Sequence, residues 1–440
     1  MSTTLTPDQA DAAANVLERL LSTRTGSQAV LSEPDRQVLG ALTGRYAHHA
    51  NAVRRVSQTL LPLLPGDDDL GDVPPFATFV DAQAWYLDNA DPVFNTLVLA
   101  SRHGVYDNIS RVVRGLEYVL TSMHDTGRGL ELANLDLDAA RNLDDKAAQA
   151  YALLNRGGSY KMAGQTARGV DDLQQAAHLL AELDDDAGMI AALSRLSVAY
   201  AAARQLDQAD DMLDQVLALD HEGVLAALAY VNRAWVSSQR GEWDAAITHG
   251  RAGLERLEAC NADKALLLPA HAELVRACTG AGDFVQARQH LSSVQLLVVA
   301  GVDSFPERIA VSLHEGELLL AQGHHQDAKI AFRQAVKLQV PAPRPTYRMA
   351  DAFDGLGRAL FGLGEFDVAA EQHASALSER VRTGEPFATA RSRYYLARAK
   401  TACGQGQEAA LLRGQALLDL DAISDTAANA LRTELNQLAI

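Results

Sequence analysis

Three features of the sequence predict an all-α fold, a right-handed superhelical solenoid of antiparallel helix pairs. The first is a recurring phrase. Gly241-Glu-Trp-Asp-Ala-Ala246 returns as Gly282-Asp-Phe-Val-Gln-Ala287, Gly323-His-His-Gln-Asp-Ala328, Gly364-Glu-Phe-Asp-Val-Ala369 and Gly404-Gln-Gly-Gln-Glu-Ala409, with Gly164/Gly169 and Arg204/Ala209 as weaker forms. The leading positions lie 40, 37, 41, 41, 41 and 40 residues apart, and self-similarity at such a period is the signature of a stacked helical array. The second feature is a set of small residues at fixed offsets. Seven positions before the turn stand Gly157, Ser197, Ala234, Gly316, Gly357 and Ala397, with Val275 as the exception. Seven after the Ala come Ala176, Gly253, Ala335, Ala376 and Ala416. The turn Gly takes the left-handed conformation that ends a helix, and the small residues let paired helices approach closely. The third feature is composition: 48% hydrophobic but only 5% aromatic, so Ala and Leu, both good helix formers, carry the packing.

A net charge of −17 argues against a nucleic-acid-binding body, which needs a basic stripe to displace counterions. Cys260, Cys278 and Cys403 form no CxxC pair and are expected as small buried hydrophobes of a reducing cytosol. The polar stretch from Met1 to Asn15 has no signal-peptide core, and no apolar run approaches the roughly 20 residues that span a bilayer. These features predict a soluble cytoplasmic protein without cofactor or metal.

Along the chain, residues 5–60 are predicted helical. Thr6-Pro7-Asp8-Gln9 is one start signal, with Leu17, Leu20 and Leu21 behind it, and Ser32-Glu33-Pro34-Asp35 is a second. Residues 62–75, rich in Pro, Gly and Asp, break the helix. One segment carries Phe76, Phe79, Ala84, Trp85 and Leu87 and stops before Pro92; another runs from Val93 to His103, and a third from Ile109 to Val119. Gly127 to Leu143 has the look of a degenerate repeat, with Gly129 at the small position. Seven regular repeats follow, punctuated by Pro341, Pro343 and Pro345, and an amphipathic helix from Thr426 to Leu438 supplies the wettable end a solenoid needs. The expected divisions are 1–75 (cap and linker), 76–145 (lead-in), 146–420 (repeats) and 421–440 (terminal cap).

The small-residue offsets resemble the tetratricopeptide repeat (TPR), lengthened from its usual ~34 residues to about 40. Such repeats resemble the C-terminal arrays of actinobacterial SARP/AfsR-type and STAND regulators. Tyr46, His48, Ala50 and Asn51, Pro74-Pro75-Phe76 and Ala84-Trp85 are similar to the lead-in of those arrays, although Asn89 and Pro92 depart from its pattern. No G-x-x-x-x-G-K-[ST] occurs, so the resemblance brings no nucleotide-binding module with it.

Candidate chemistry is sparse. Asp68-Asp69-Leu70-Gly71-Asp72 matches an Mg²⁺-diphosphate motif that needs a helical face, but lies in the broken segment and is expected as a solvated loop. His48-His49 and His324-His325 are adjacent rather than three or four apart, and are expected at surfaces or turns. No G-x-S-x-G occurs. The resemblance implies that the first helix of each pair lines a concave face. Its exposed offsets give Tyr151, Asn155, Lys161, Asn232, Trp235, Gln239, Arg276, Glu317, Arg358, Tyr394 and Arg398. Guanidinium groups there suit carboxylates or phosphates, and Trp and Tyr offer rigid contact area. The expectation is a non-enzymatic binding or regulatory protein that takes a peptide or protein partner, in regulation of transcription or secondary metabolism. The alternatives are a TPR-scaffold enzyme or maturation factor for a peptide natural product, and a scaffold that self-associates as a homodimer.

Overall fold

The computed structural model describes residues 31–57, 64, 66–123, 125–220, 222–299, 305–339 and 347–438. The start signal at Thr6, the Leu17/Leu20/Leu21 stripe and the prolines at 341, 343 and 345 lie outside them. Nineteen helices and no strand are present among the described residues. The lead-in comprises α1 (Glu33–Arg55), α2 (Phe79–Arg102), α3 (Ile109–Ser122) and α4 (Thr126–Asn142). The repeats pair α5 (Lys146–Met162) with α6 (Thr166–Glu182), α7 (Asp186–Ala202) with α8 (Leu206–Leu219), and α9 (Val224–Arg240) with α10 (Trp243–Ala259). Next come α11 (Lys264–Ala281) with α12 (Phe284–Val299), α13 (Phe305–Ala321) with α14 (His325–Gln339), and α15 (Tyr347–Gly362) with α16 (Phe366–Thr383). The last pair is α17 (Pro386–Ala402) with α18 (Gly406–Asp419), and α19 (Thr426–Gln437) ends the array.

The turn residues explain the register. Gly164, Gly241, Gly282, Gly323, Gly364 and Gly404 all have φ between +76° and +80°, a region closed to most side chains. A second series closes the turns between pairs: Asp144, Asp184, Asn261 and Gly384 also have positive φ. Asp and Asn tolerate that conformation better than other side chains, so this series was written in the sequence in residue types less conspicuous than Gly. The small positions are equally physical. A Cβ on Gly157 would sit 2.7 Å from Leu173, and one on Gly357 2.6 Å from His373. Phe332, fully buried, lies against both Gly316 and Gly355, where a Cβ would meet its ring at 2.7 and 2.2 Å.

Two expectations about the lead-in are corrected. Pro92 does not end a helix; α2 runs through it. The ring removes one N–H from the ladder, but Val93, Thr96 and Leu97 beyond it are buried, and packing of that face outweighs the lost bond. The start moves from Phe76 to Phe79 because Thr78 and Asp81 form a reciprocal capping box. The second start signal is as expected: Ser32 caps α1, accepting from the Asp35 amide at 3.3 Å.

The chain divides into two compact units. Unit one comprises the lead-in, α5 and residues 168–192; unit two comprises residues 163–167 and everything from Leu193 onward. Unit one has a continuous apolar core from Leu39, Tyr86, Leu97, Ile109, Leu116 and Leu132. Unit two is built from successive smaller clusters, such as Val231/Leu257/Leu274 and Phe332/Leu356/Leu396, as expected where each repeat touches its neighbours.

Candidate binding site

Unit one buries a charged cluster at the start of its array. Asp67 is 2% exposed, and Arg114 grips it through Nε at 3.4 Å and Nη2 at 2.8 Å, with Arg54 Nη1 at 3.6 Å. Asn51 Nδ2 donates to the carbonyls of Gly66 (2.9 Å) and Asp69 (2.7 Å), and Arg111 donates to Gly66 at 2.7 Å. The acidic loop is therefore pinned by α1 and α3. Asp68, Asp69 and Asp72 are exposed, whereas the neighbouring Asp67 is the counter-ion of two buried guanidinium groups. Asp136, on α4, is fully buried and neither carboxylate oxygen has a well-formed hydrogen bond. Burial pushes its pKa up to about 6, against the pull of Arg114 and the Ser110 hydroxyl.

Beside this cluster a small cleft opens between α3, α4 and α5, lined by Glu117, Thr121, Gly129, Ala133, Asn155 and Ser159. Its origin is visible in the repeat. Forty residues on, Gly157 and Gly169 close α5 onto α6, with a Cβ on Gly169 only 2.7 Å from the Gly157 carbonyl. In the lead-in the first of these places holds Glu117, and Gly129 has only the Ser159 hydroxyl within 4 Å of a built Cβ. Asn155 lines the cleft, is 3% exposed, and neither its amide oxygen nor its nitrogen has a hydrogen-bond partner. A buried carboxamide left unsatisfied costs roughly 1–3 kcal/mol. A ligand group with one donor and one acceptor would remove that cost.

In unit two the first helices carry cations and aromatics. Arg358 Nη1 donates to both Glu317 oxygens (2.8 and 2.9 Å) and lies 5.4 Å from the Tyr395 ring. Arg398 lies 4.7 Å over Phe361 and 5.5 Å from Tyr394, whose ring meets Tyr395 at 5.5 Å. Burial works against the Arg358 charge, but Glu317 outweighs it and raises its pKa. Farther along, burial with Arg276 and Arg348 nearby pushes His314 down to about 3. This face sets guanidinium groups against flat aromatic surface, an arrangement that suits carboxylates or phosphates.

The residues singled out in the sequence divide accordingly. Glu317, Arg358, Tyr394 and Arg398 come together, and Asn155 lines the cleft. Arg276 is exposed and bonded loosely to Glu273 at 3.5 Å; Asn232, Trp235 and Lys161 are half-buried. Tyr151 is a core residue, 1% exposed, whose hydroxyl donates to Asp185 at 2.7 Å; burial and that carboxylate raise its pKa. Gln239 is occupied by Arg204, which donates to it at 2.9 Å.

Other expectations are corrected. His48 is buried, with Asp69 at 3.4 Å, and His49 stacks on Trp85 at 4.9 Å, because α1 packs on both sides there. Cys260 is exposed rather than buried; it follows the last residue of α10, where the helix meets solvent. A buried Ser392, Asp354 and His373 group escaped the sequence reading because its members come from three helices. Ser392 Oγ donates to Asp354 at 2.5 Å, and His373 Nδ1 lies 2.9 Å from the other oxygen. The carboxylate sits between hydroxyl and imidazole, so this is not the order that activates a serine. Among the described residues no group of three His, Cys, Asp or Glu is placed to hold a metal ion, and no helix is long and apolar enough to cross a membrane.

No family model and no curated protein matches the sequence. Solved structures match the fold. A Rap protein complexed with competence and sporulation factor superposes with a TM-score of 0.51 at 13% identity, over 66% of this chain and 80% of that one. The apo form of RapI gives 0.47 at 11% identity, over 94% and 98%. A tetratricopeptide repeat protein from Parabacteroides merdae gives 0.41 at 14%, over 66% and 99%. By its paired helices, its turns and the likeness to the first of these structures, the chain is a TPR-like repeat protein with an all-α solenoid fold.

Proposed function

We propose that this protein is a binding protein for peptide or protein segments, which it takes in the cleft of unit one and on the first-helix face of unit two. The observation that carries the proposal is Asn155. Its buried amide has no partner in the protein and lines the cleft of unit one, and a peptide bond offers the missing donor and acceptor together. The arginine and tyrosine face of unit two supports the same reading independently and favours acidic segments. The Rap protein that shares the fold was solved with competence and sporulation factor bound, which carries a bound factor here as part of the proposal. The lead-in similarity to antibiotic-regulator arrays extends it to a regulatory role in transcription or secondary metabolism.

The test is selection of random peptides displayed on phage against the full chain, followed by titration of the selected peptides. Asn155→Leu is expected to weaken cleft-binding peptides about 10- to 100-fold, corresponding to the roughly 1–3 kcal/mol of an unmade buried hydrogen bond. Arg358→Ala with Arg398→Ala is expected to weaken acidic peptides. Selected peptides whose affinity survives all three substitutions would refute the assignment of these faces.

A further inference from the structure

Arg204 is the exception among the seven turns. It has φ +61° where the six others carry Gly, so a residue with a long side chain occupies a conformation that disfavours it. Its guanidinium shows what that side chain reaches. Nε donates to Asp425 Oδ2 at 3.0 Å, Nη2 to the other oxygen of the same carboxylate, and Nη1 to Gln239 at 2.9 Å. The group lies 4.1 Å over the Phe387 ring and its side chain is 6% exposed. Asp425 is 221 residues away in sequence and is the N-cap of α19, accepting from the Ala428 amide at 3.0 Å. The neighbouring turn makes a similar approach: the Gly164 carbonyl is 3.8 Å from where a Cβ on Gly384 would stand. All these residues belong to unit two.

We infer that Arg204 is a latch that clasps the last helix and the start of α17, closing unit two on itself. A repeat array normally touches only its neighbours, so its curvature is soft; a contact between repeats this distant fixes it. A bidentate guanidinium–carboxylate pair stacked on an aromatic ring supplies the geometric specificity that such a closure needs. Because α19 packs in one apolar cluster with Phe387 and Tyr394, opening the latch shifts the end of the face that carries Tyr394 and Arg398. An anion or partner competing for Arg204 would therefore act on that face. This last step rests on the proposed function, whereas the latch itself does not.

The test is hydrogen–deuterium exchange of the full chain without ligand, so its outcome is independent of peptide binding. Arg204→Gly installs the residue found at the other turns, and Asp425→Asn keeps a competent helix cap, so both preserve local structure. Each is expected to speed exchange in residues 426–437 at least about 10-fold relative to the remainder of unit two, with no further change in the double variant. Exchange within about two-fold of the parent in either variant, or additive effects in the double, would overturn the latch. Should one variant fail to fold, the other carries the same decision.

Discussion

The lead-in of unit one and the repeats of unit two use one pattern in different ways. In unit two the place seven residues beyond the small residue of each second helix is filled by Val216, Gly253, Val294, Ala335, Ala376 and Ala416, all buried. In the lead-in the corresponding place, forty residues before the buried Ala176 of the same unit, holds Asp136, equally buried. Likewise Glu117 stands where Gly157, Gly316 and Gly357 bring helices together elsewhere. Where the pattern is kept, small residues yield close packing. Where it is broken, a charged cluster, a cleft and an unpartnered amide appear. The departures from the repeat mark the chemistry, as Arg204 does among the turns.

Substitutions can break that contrast, and Asp67 has the largest expected effect. Asp67→Asn removes the carboxylate that pairs with both buried guanidinium groups, Arg54 and Arg114, and should cost about 3–5 kcal/mol of stability in urea melts. A loss below about 1 kcal/mol would show that the cluster does not hold the lead-in together.

Asp136→Ala inserts the residue that unit two uses, and here the expected sign is stabilising. The folded pKa of Asp136, about 6, lies above its ordinary 3.8, so the native state holds the proton longer than the unfolded chain. Its contribution is intact below about pH 4 and is lost as pH rises through about 6. The variant should therefore match the parent near pH 4 and exceed it by up to about 3 kcal/mol at pH 7, two pKa units being worth about that much. A stability difference independent of pH would contradict the assignment.

Gly115 and Gly414 give a smaller, paired contrast. A Cβ on Gly115 would meet the Ala50 backbone at 2.5 Å, so Gly115→Ala should cost about 1–3 kcal/mol. Gly414 is helical with nothing within 4 Å, so Gly414→Ala should raise stability by about 0.5–1 kcal/mol. Equal effects at the two sites would refute the view that close helix approach, rather than backbone freedom, selects these glycines.

Most of the architecture was legible in the sequence because turn glycines and small residues are dictated by backbone geometry, which leaves the same trace in every copy. The cleft was less legible. Asn155 and the Glu317–Arg358–Tyr394–Arg398 group follow from helical offsets, but Tyr151 shares those offsets and is core, because Asp185 from the following turn draws its hydroxyl inward. Offsets give the side of a helix and not what a neighbouring segment brings to it. Asp67, Asp354 and Asp425 each bond a partner 38 to 221 residues away, Arg114, Ser392 and Arg204, a separation at which no local pattern is written. The signals that would have found Asp136 and Arg204 were present, as the residues that interrupt an otherwise regular series.

We propose the cleft in unit one as a ligand site built around an unsatisfied amide. Its most direct test is titration of a phage-selected peptide into the parent protein and into Asn155→Leu, with the thermal stability of both measured alongside. Affinity should fall about 10- to 100-fold while stability is unchanged or higher, since the leucine removes an unpaired polar group. Unchanged affinity, or a stability loss that accounts for the weakened binding, would contradict it.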